Sequence, residues 1–123
     1  MWISAAIIAT IAAVTALPAS AAENGYTIRT AGELASLCAG DPESGGPDKQ
    51  TGLTLCDGFL QGMLSLELRH ERAFCLPSPS PLRMQLMQQF VTWARANPRR
   101  VSMPATDGLV EFFRERFPCG KWG

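Results

Sequence analysis

The sequence predicts an all-α fold, a small disulfide-stapled bundle of about four helices that follows a signal peptide. Apolar residues recur with the 3.6-residue helical period in four segments, and prolines and glycines separate these segments. No segment shows the strict alternation of apolar and polar residues that is typical of a half-buried strand. The four cysteines lie in the helical part of the chain, and an even number in a small exported protein predicts two disulfides.

Residues 1–21 have the features of a signal peptide. A largely apolar, uncharged run over residues 3–17 is followed by Pro18 and by an Ala-Ser-Ala cleavage pattern at 19–21. A helix needs about 20 apolar residues to span a bilayer, and this run is shorter. We therefore expect cleavage after Ala21 or Ala22 rather than a stable membrane anchor. Residues 22–123 would then form one helical domain in the periplasm.

The first two helices are predicted from a capping pattern and from a long apolar stripe. Thr30 followed by Glu33 matches a capping box, so the first helix is expected over residues 31–39. The second helix is expected over residues 53–72, with an apolar stripe that extends to Leu66.

Prolines delimit the last two helices. Ser80 is expected to cap the third helix, with Pro81 at its first position and Leu82 opening its apolar stripe. Asn97-Pro98 is expected to end that helix, because proline cannot continue it. A fourth helix is expected over about residues 104–117, where the apolar period resumes.

Helix geometry selects one of the three pairings that four cysteines allow. Cys56 and Cys75 flank the second helix, whose length of roughly 30 Å is far beyond the separation that a disulfide permits. In an up-and-down bundle with short connections, Cys38 and Cys56 share one end, and Cys75 and Cys119 share the other. The predicted pairs are therefore Cys38–Cys56 and Cys75–Cys119.

Two glycines in the second helix predict a close helix contact. Gly58 and Gly62 lie one turn apart on one face, and a glycine inside a helix costs roughly 0.5–1 kcal/mol relative to alanine. Close packing of a neighbouring helix could offset this cost. We expect that neighbour to belong to the same chain, and a second copy of the chain is the alternative.

The composition offers little for catalysis or for nucleic-acid binding. Eleven Lys and Arg balance eleven Asp and Glu, whereas nucleic-acid binding favours clustered positive charge. The chain has one histidine, His70, and no C-x-x-C motif, so no metal site, cofactor or catalytic residue is predicted. The sequence favours a protein that is not an enzyme.

Two polar segments are the predicted contacts with a protein partner. One is the loop over residues 40–52, which is rich in glycine and proline, and the other is the turn over residues 77–81. The candidate contact residues in them are Asp41, Glu43, Asp48, Lys49, Ser78 and Ser80.

The order of motifs resembles the Rap/Tai-type immunity proteins of bacterial type VI secretion. The residues that carry the resemblance are TAGELASLC at 30–38, CDGFLQGM at 56–63, FCLPS at 74–78, ANPRR at 96–100 and MPATDGLVEFFRERFPC at 103–119. The resemblance implies a periplasmic helical protein, often a homodimer, that binds and neutralises a secreted peptidoglycan amidase. The alternative is a periplasmic helical stress protein, such as an acid-stress chaperone, that has no dedicated effector partner.

Overall fold

The computed structural model describes residues 12–13, 26–42, 46–69 and 73–120 of the chain. These residues form five helices and no strand, which confirms the all-α prediction. The helices are α1 (Ala31–Ala39), α2 (Lys49–Arg69), α3 (Arg83–Arg95), α4 (Pro98–Val101) and α5 (Ala105–Arg116). None of the helices in this part of the chain is long and apolar enough to cross a membrane. The predicted signal peptide lies almost entirely outside the described residues.

Helix α1 is the central element and contacts each of the other four helices. Its start has the predicted capping box: the Glu33 backbone N–H donates to Thr30 Oγ1 at 3.1 Å, and the Thr30 N–H donates to the Glu33 carboxylate at 3.3 Å. Its end is closed by Gly40, whose φ of 70° lies in the left-handed region that favours glycine. Both ends of this short helix are thus fixed by local sequence.

Helix α5 begins beside the start of α1. The Ala31 N–H donates to the Met103 carbonyl at 2.8 Å, and the Ala105 N–H donates to the Arg29 carbonyl at 3.0 Å. Gly108 is needed at this crossing, because a Cβ added there would lie 2.7 Å from the Cβ of Ala31. The two helices therefore pack backbone against backbone at this point.

The structure contains the two disulfides that helix geometry selected. The inner disulfide, Cys38–Cys56, joins α1 to α2 with both cysteines buried. The outer disulfide, Cys75–Cys119, joins the segment after α2 to the residues that follow α5, and Cys119 is exposed. Beside it the Cys75 N–H donates to the Phe117 carbonyl at 2.8 Å. The inner disulfide thus links two helices within the core, and the outer one links the segment after α2 to the end of α5.

The core is dominated by aromatic side chains from α3, α5 and the segment after α2. Phe90 and Phe113 are fully buried, and the Phe74 ring stacks on Phe113 with centroids 4.6 Å apart. Phe112 contacts Phe90 edge to face at 5.6 Å. Burying one such side chain contributes about 1.5–3 kcal/mol, so this cluster is a main source of the domain's stability.

The starts of α2 and α3 differ from the predictions. Helix α2 begins at Lys49 rather than at residue 53, because Asp48 caps it by accepting a 3.0 Å hydrogen bond from the Thr51 N–H. The prediction that Ser80 caps the third helix and that Pro81 is its first residue is wrong. The backbone of Leu82 is extended, with ψ of 137°, so α3 starts only at Arg83.

Helix α4 was not predicted. Asn97-Pro98 does follow the end of α3, as expected, but the same two residues also start a new helix. The Arg99 N–H donates to Asn97 Oδ1 at 3.0 Å, and Pro98 occupies the first turn, where its missing N–H costs nothing.

The predicted intrachain packing at Gly58 and Gly62 is wrong. Both glycines are exposed, and a Cβ added at either one would meet no atom of the described residues within 4 Å. Leu66, one turn further along α2, was expected in the core but is 52 % exposed. The buried face of α2 is instead formed by Gly52, Cys56 and Leu60.

Candidate functional site

The described residues contain no cluster of side chains suited to a metal ion. No group of three or more His, Cys, Asp or Glu side chains within residues 26–42, 46–69 and 73–120 could hold a metal ion. The disulfides take up all four cysteines, so no thiol is free. His70 lies outside the described residues. The described residues also form concave surfaces between their helices.

A groove between α2 and α3 is the first such surface. It consists of two adjoining cavities of about 350 and 310 Å³ that share Leu53 and Met84. The first cavity is lined by Cys38, Ala39, Lys49, Leu53, Met84, Gln88 and Val91. The second is lined by Gln50, Leu53, Thr54, Asp57, Met84 and Met87. We call these two cavities together the α2–α3 groove.

Exposed apolar side chains lie in this groove and just before it in the chain. Met84 is 53 % exposed, and Leu82, two residues earlier, is 69 % exposed. A methionine side chain is flexible and polarizable, so it adapts to the shape of what it contacts. Exposed apolar groups beside a concave surface are typical of a protein–protein contact. The sequence did not reveal Leu82, because its spacing to Leu86 and Phe90 equals that of a core position.

Two ion pairs flank the groove. Arg83 Nε lies 2.6 Å from Asp57 Oδ1 where α3 begins, and Arg95, one turn beyond Val91, lies 2.5 Å from Asp41 Oδ2. All four side chains are at least one-third exposed. Exposed pairs contribute about 0–1 kcal/mol each, so a partner's charges can replace them at little cost.

The structure gives different roles to the residues predicted to contact a partner. Lys49 lines the groove, and its side chain packs beside Gly40. Asp41 is held by Arg95 at the edge of that surface. Asp48 instead caps α2, and its hydrogen bonds from the side chain and backbone of Thr51 lower the pKa of its carboxyl.

The remaining candidates lie in the turn and in the part of the loop that is outside the described residues. Ser78 and Ser80 are exposed on the segment that leads into α3, beside the exposed Leu82. Glu43 lies outside the described residues. The polar loop and the proline-rich turn therefore both join elements that line the α2–α3 groove.

These features define a small, disulfide-stapled helical domain with an apolar groove on its surface. A family model that describes Rap1a immunity proteins matches residues 30–119, and the chain belongs to this family. The resemblance to immunity proteins seen in the sequence is thereby confirmed. No curated protein and no solved structure matches the chain.

Proposed function

We propose that this chain is an exported immunity protein that binds and neutralises a secreted peptidoglycan amidase in the periplasm. The observation that carries the proposal is the family match over residues 30–119, the same residues that build the stapled scaffold and its groove. Two disulfides in so small a domain support an oxidising compartment such as the periplasm. A rigid scaffold with an apolar groove can block an enzyme by contact alone.

The α2–α3 groove is the surface we assign to the effector. Its apolar floor at Leu53 and Met84 supplies burial, and Lys49, Asp41 and Asp57 supply charge at its edges. Interfaces commonly have this arrangement of an apolar centre within a polar rim. The exposed turn at 77–81 leads directly into the groove through Leu82 and would extend the contact.

A second copy of the chain is the partner we propose for the exposed face of α2. Gly58 and Gly62 leave open space along this helix, and Leu66 adds an exposed apolar side chain one turn on. Within one copy, nothing in the described residues offsets the cost of two helix-interior glycines. A helix from a second copy could approach closely enough to do so.

The effector proposal is tested with a purified, secreted peptidoglycan amidase from the same organism. The mature protein should bind it tightly and stop peptidoglycan hydrolysis at equimolar ratio. Met84→Arg in the groove should weaken binding at least about tenfold, as loss of a central contact does. Thr106→Arg, at an exposed position of α5, is the matched control and should bind like the parent.

Two outcomes would contradict these assignments. Full inhibition by Met84→Arg would exclude the groove as the contact surface. If the unmodified protein leaves the amidase active and instead keeps acid-denatured proteins in solution, the alternative of an acid-stress chaperone would replace the immunity function.

A further inference from the structure

A second cavity, on another face of α3, has the features of a binding site for a particular kind of side chain. It lies between α3 and α5 and has a volume of about 490 Å³, within the range of known ligand sites. Its lining residues are Gln88, Gln89, Thr92, Trp93, Phe112, Glu115 and Arg116. We call it the α3–α5 cavity.

Two aromatic rings, Trp93 and Phe112, give this cavity an apolar wall, and they are held in place before any ligand binds. Their centroids are 5.8 Å apart in an edge-to-face arrangement. The Trp93 indole N–H donates to Glu115 Oε2 at 2.6 Å, and the Arg100 guanidinium lies 4.3 Å from the centre of the indole ring. Arg100 also donates to the Trp93 carbonyl at 2.7 Å. A wall fixed in this way spares a ligand the cost of ordering it.

Two charged side chains line the cavity, and among the described residues only one of them has an ion-pair partner. Glu115 forms an ion pair with Arg100, 3.7 Å away, and accepts the hydrogen bond from the Trp93 N–H. Arg116 is exposed, and no carboxylate in the described part of the chain lies within 4.0 Å of its guanidinium. Within the described part of the chain, the positive charge of Arg116 at the rim of the cavity thus has no partner, which favours a ligand with a negative group.

Gln89 adds an unused hydrogen-bond acceptor. Its Oε1 is shielded from solvent and accepts no hydrogen bond from the described residues. A buried acceptor without a donor destabilises the folded chain, so a ligand that supplies the donor gains affinity. The last torsion of a glutamine side chain is soft, so a small rotation can turn this oxygen toward a donor inside the cavity.

We infer that the α3–α5 cavity binds a tyrosine side chain of a partner protein, next to an acidic residue in the same segment. The phenol ring packs against Trp93 and Phe112, its hydroxyl donates to Gln89, and the neighbouring carboxylate pairs with Arg116. This site goes beyond the proposed function, because it adjoins the groove assigned to the effector at Gln88 but is otherwise lined by different residues, from α3 and α5.

The inference is tested by titrating the mature protein with N-acetyl-tyrosyl-glutamyl-amide. The readout is the indole N–H resonance of Trp93 in nitrogen-edited spectra, assigned with the Trp93→Phe variant. We expect a saturable shift of this resonance. Replacing glutamate by glutamine in the dipeptide should weaken binding by about threefold to fivefold, the effect of one exposed ion pair. Replacing tyrosine by phenylalanine should weaken it at least about threefold, because the shielded Gln89 oxygen then lacks its donor.

Two arginines of α5 provide a matched pair of variants. Arg116→Glu should weaken binding of the tyrosyl-glutamyl probe at least about fivefold, whereas Arg114→Glu should not change it. Arg114 is likewise exposed and without an ion pair in the described residues, but it does not line the cavity.

An unmoved Trp93 resonance, or equal weakening by both charge reversals, would overturn the inference. This result is independent of the amidase test, since no effector is present. If the dipeptide does not bind, the assignment of the groove to the effector is unaffected. If the amidase does not bind, the assignment of the α3–α5 cavity to a tyrosine side chain is unaffected.

Discussion

The same substitution, glycine to alanine, should change stability in opposite directions at two helical positions. Gly58→Ala in α2 places its new methyl group in open space, with no neighbour within 4 Å. Gly108→Ala in α5 places it 2.7 Å from the Cβ of Ala31, closer than real Cβ atoms approach one another. Both changes remove a helix-interior glycine, so their difference isolates the packing at the crossing of α1 and α5.

The magnitudes follow from two separate effects. Each substitution gains about 1 kcal/mol of helix propensity. Overpacking at a tight contact costs typically about 1–3 kcal/mol, and only Gly108→Ala incurs that cost. The Gly58→Ala variant should therefore be more stable than the parent by about 1 kcal/mol, and Gly108→Ala should be less stable than Gly58→Ala by about 1–3 kcal/mol.

Urea unfolding of the dissociated protein, at high dilution, measures both values. For a domain of roughly 100 residues, a change of about 1 kcal/mol corresponds to a shift in melting temperature of about 4–8 °C. Equal stabilisation by the two substitutions would refute the close crossing at Gly108. Destabilisation by Gly58→Ala at high dilution would refute the open face of α2.

The same pair of variants tests self-association through α2. Sedimentation over a dilution series should show that Gly58→Ala weakens the dimer, because its methyl group separates helices that would otherwise touch at the glycine. Gly108→Ala should leave the dissociation constant unchanged, since that residue is buried inside one copy. An unchanged dimer in both variants would place the self-contact elsewhere, and a protein that sediments as a monomer throughout would exclude it.

Two further predictions concern the disulfides and acid stability. Replacing both cysteines of the outer disulfide by alanine should cost about 4 kcal/mol, and replacing those of the inner one about 3 kcal/mol plus a cavity term, since the loops span 44 and 18 residues. Urea unfolding checks both, and a loss below about 1 kcal/mol for either would contradict the loop-closure reasoning. Because the folded pKa of Asp48 is lowered, its contribution is present above the unfolded pKa and lost as pH falls through the folded pKa. Asp48→Asn should therefore flatten the acid side of the melting-temperature profile, and an unchanged profile would contradict this.

Local signals and helix length predicted much of the fold. The capping box at Thr30 and Glu33 involves residues three apart, so sequence alone was sufficient to place the start of α1. The length of α2 excluded a Cys56–Cys75 disulfide, and an up-and-down arrangement with short connections selected between the two remaining pairings. Each of these features depends on the geometry of a single helix and of the residues next to it.

Features that depend on competing signals or on packing could not be predicted. Asn97-Pro98 is a stop signal for the helix before it and a start signal for the next, and the sequence does not say which use prevails. Gly58 and Gly62 have the spacing of a close contact, but spacing does not reveal whether the neighbour is in the same chain. Leu82 has the spacing of a core residue and is exposed only because α3 starts after it.

The residues that hold the scaffold together and the residues that we propose to contact a partner are different sets. The recognisable motifs contain the disulfides, the cap at Thr30 and the tight crossing at Gly108, all of which hold the scaffold together. Met84 in the groove and Arg116 at the second cavity are exposed, and the described core does not depend on either. Substitution of a scaffold residue should therefore weaken binding only as far as it unfolds the domain, whereas substitution of Met84 or Arg116 should weaken binding with the melting temperature unchanged. We therefore expect the scaffold to keep the binding surfaces in place, and the exposed cavities to determine which partner they bind.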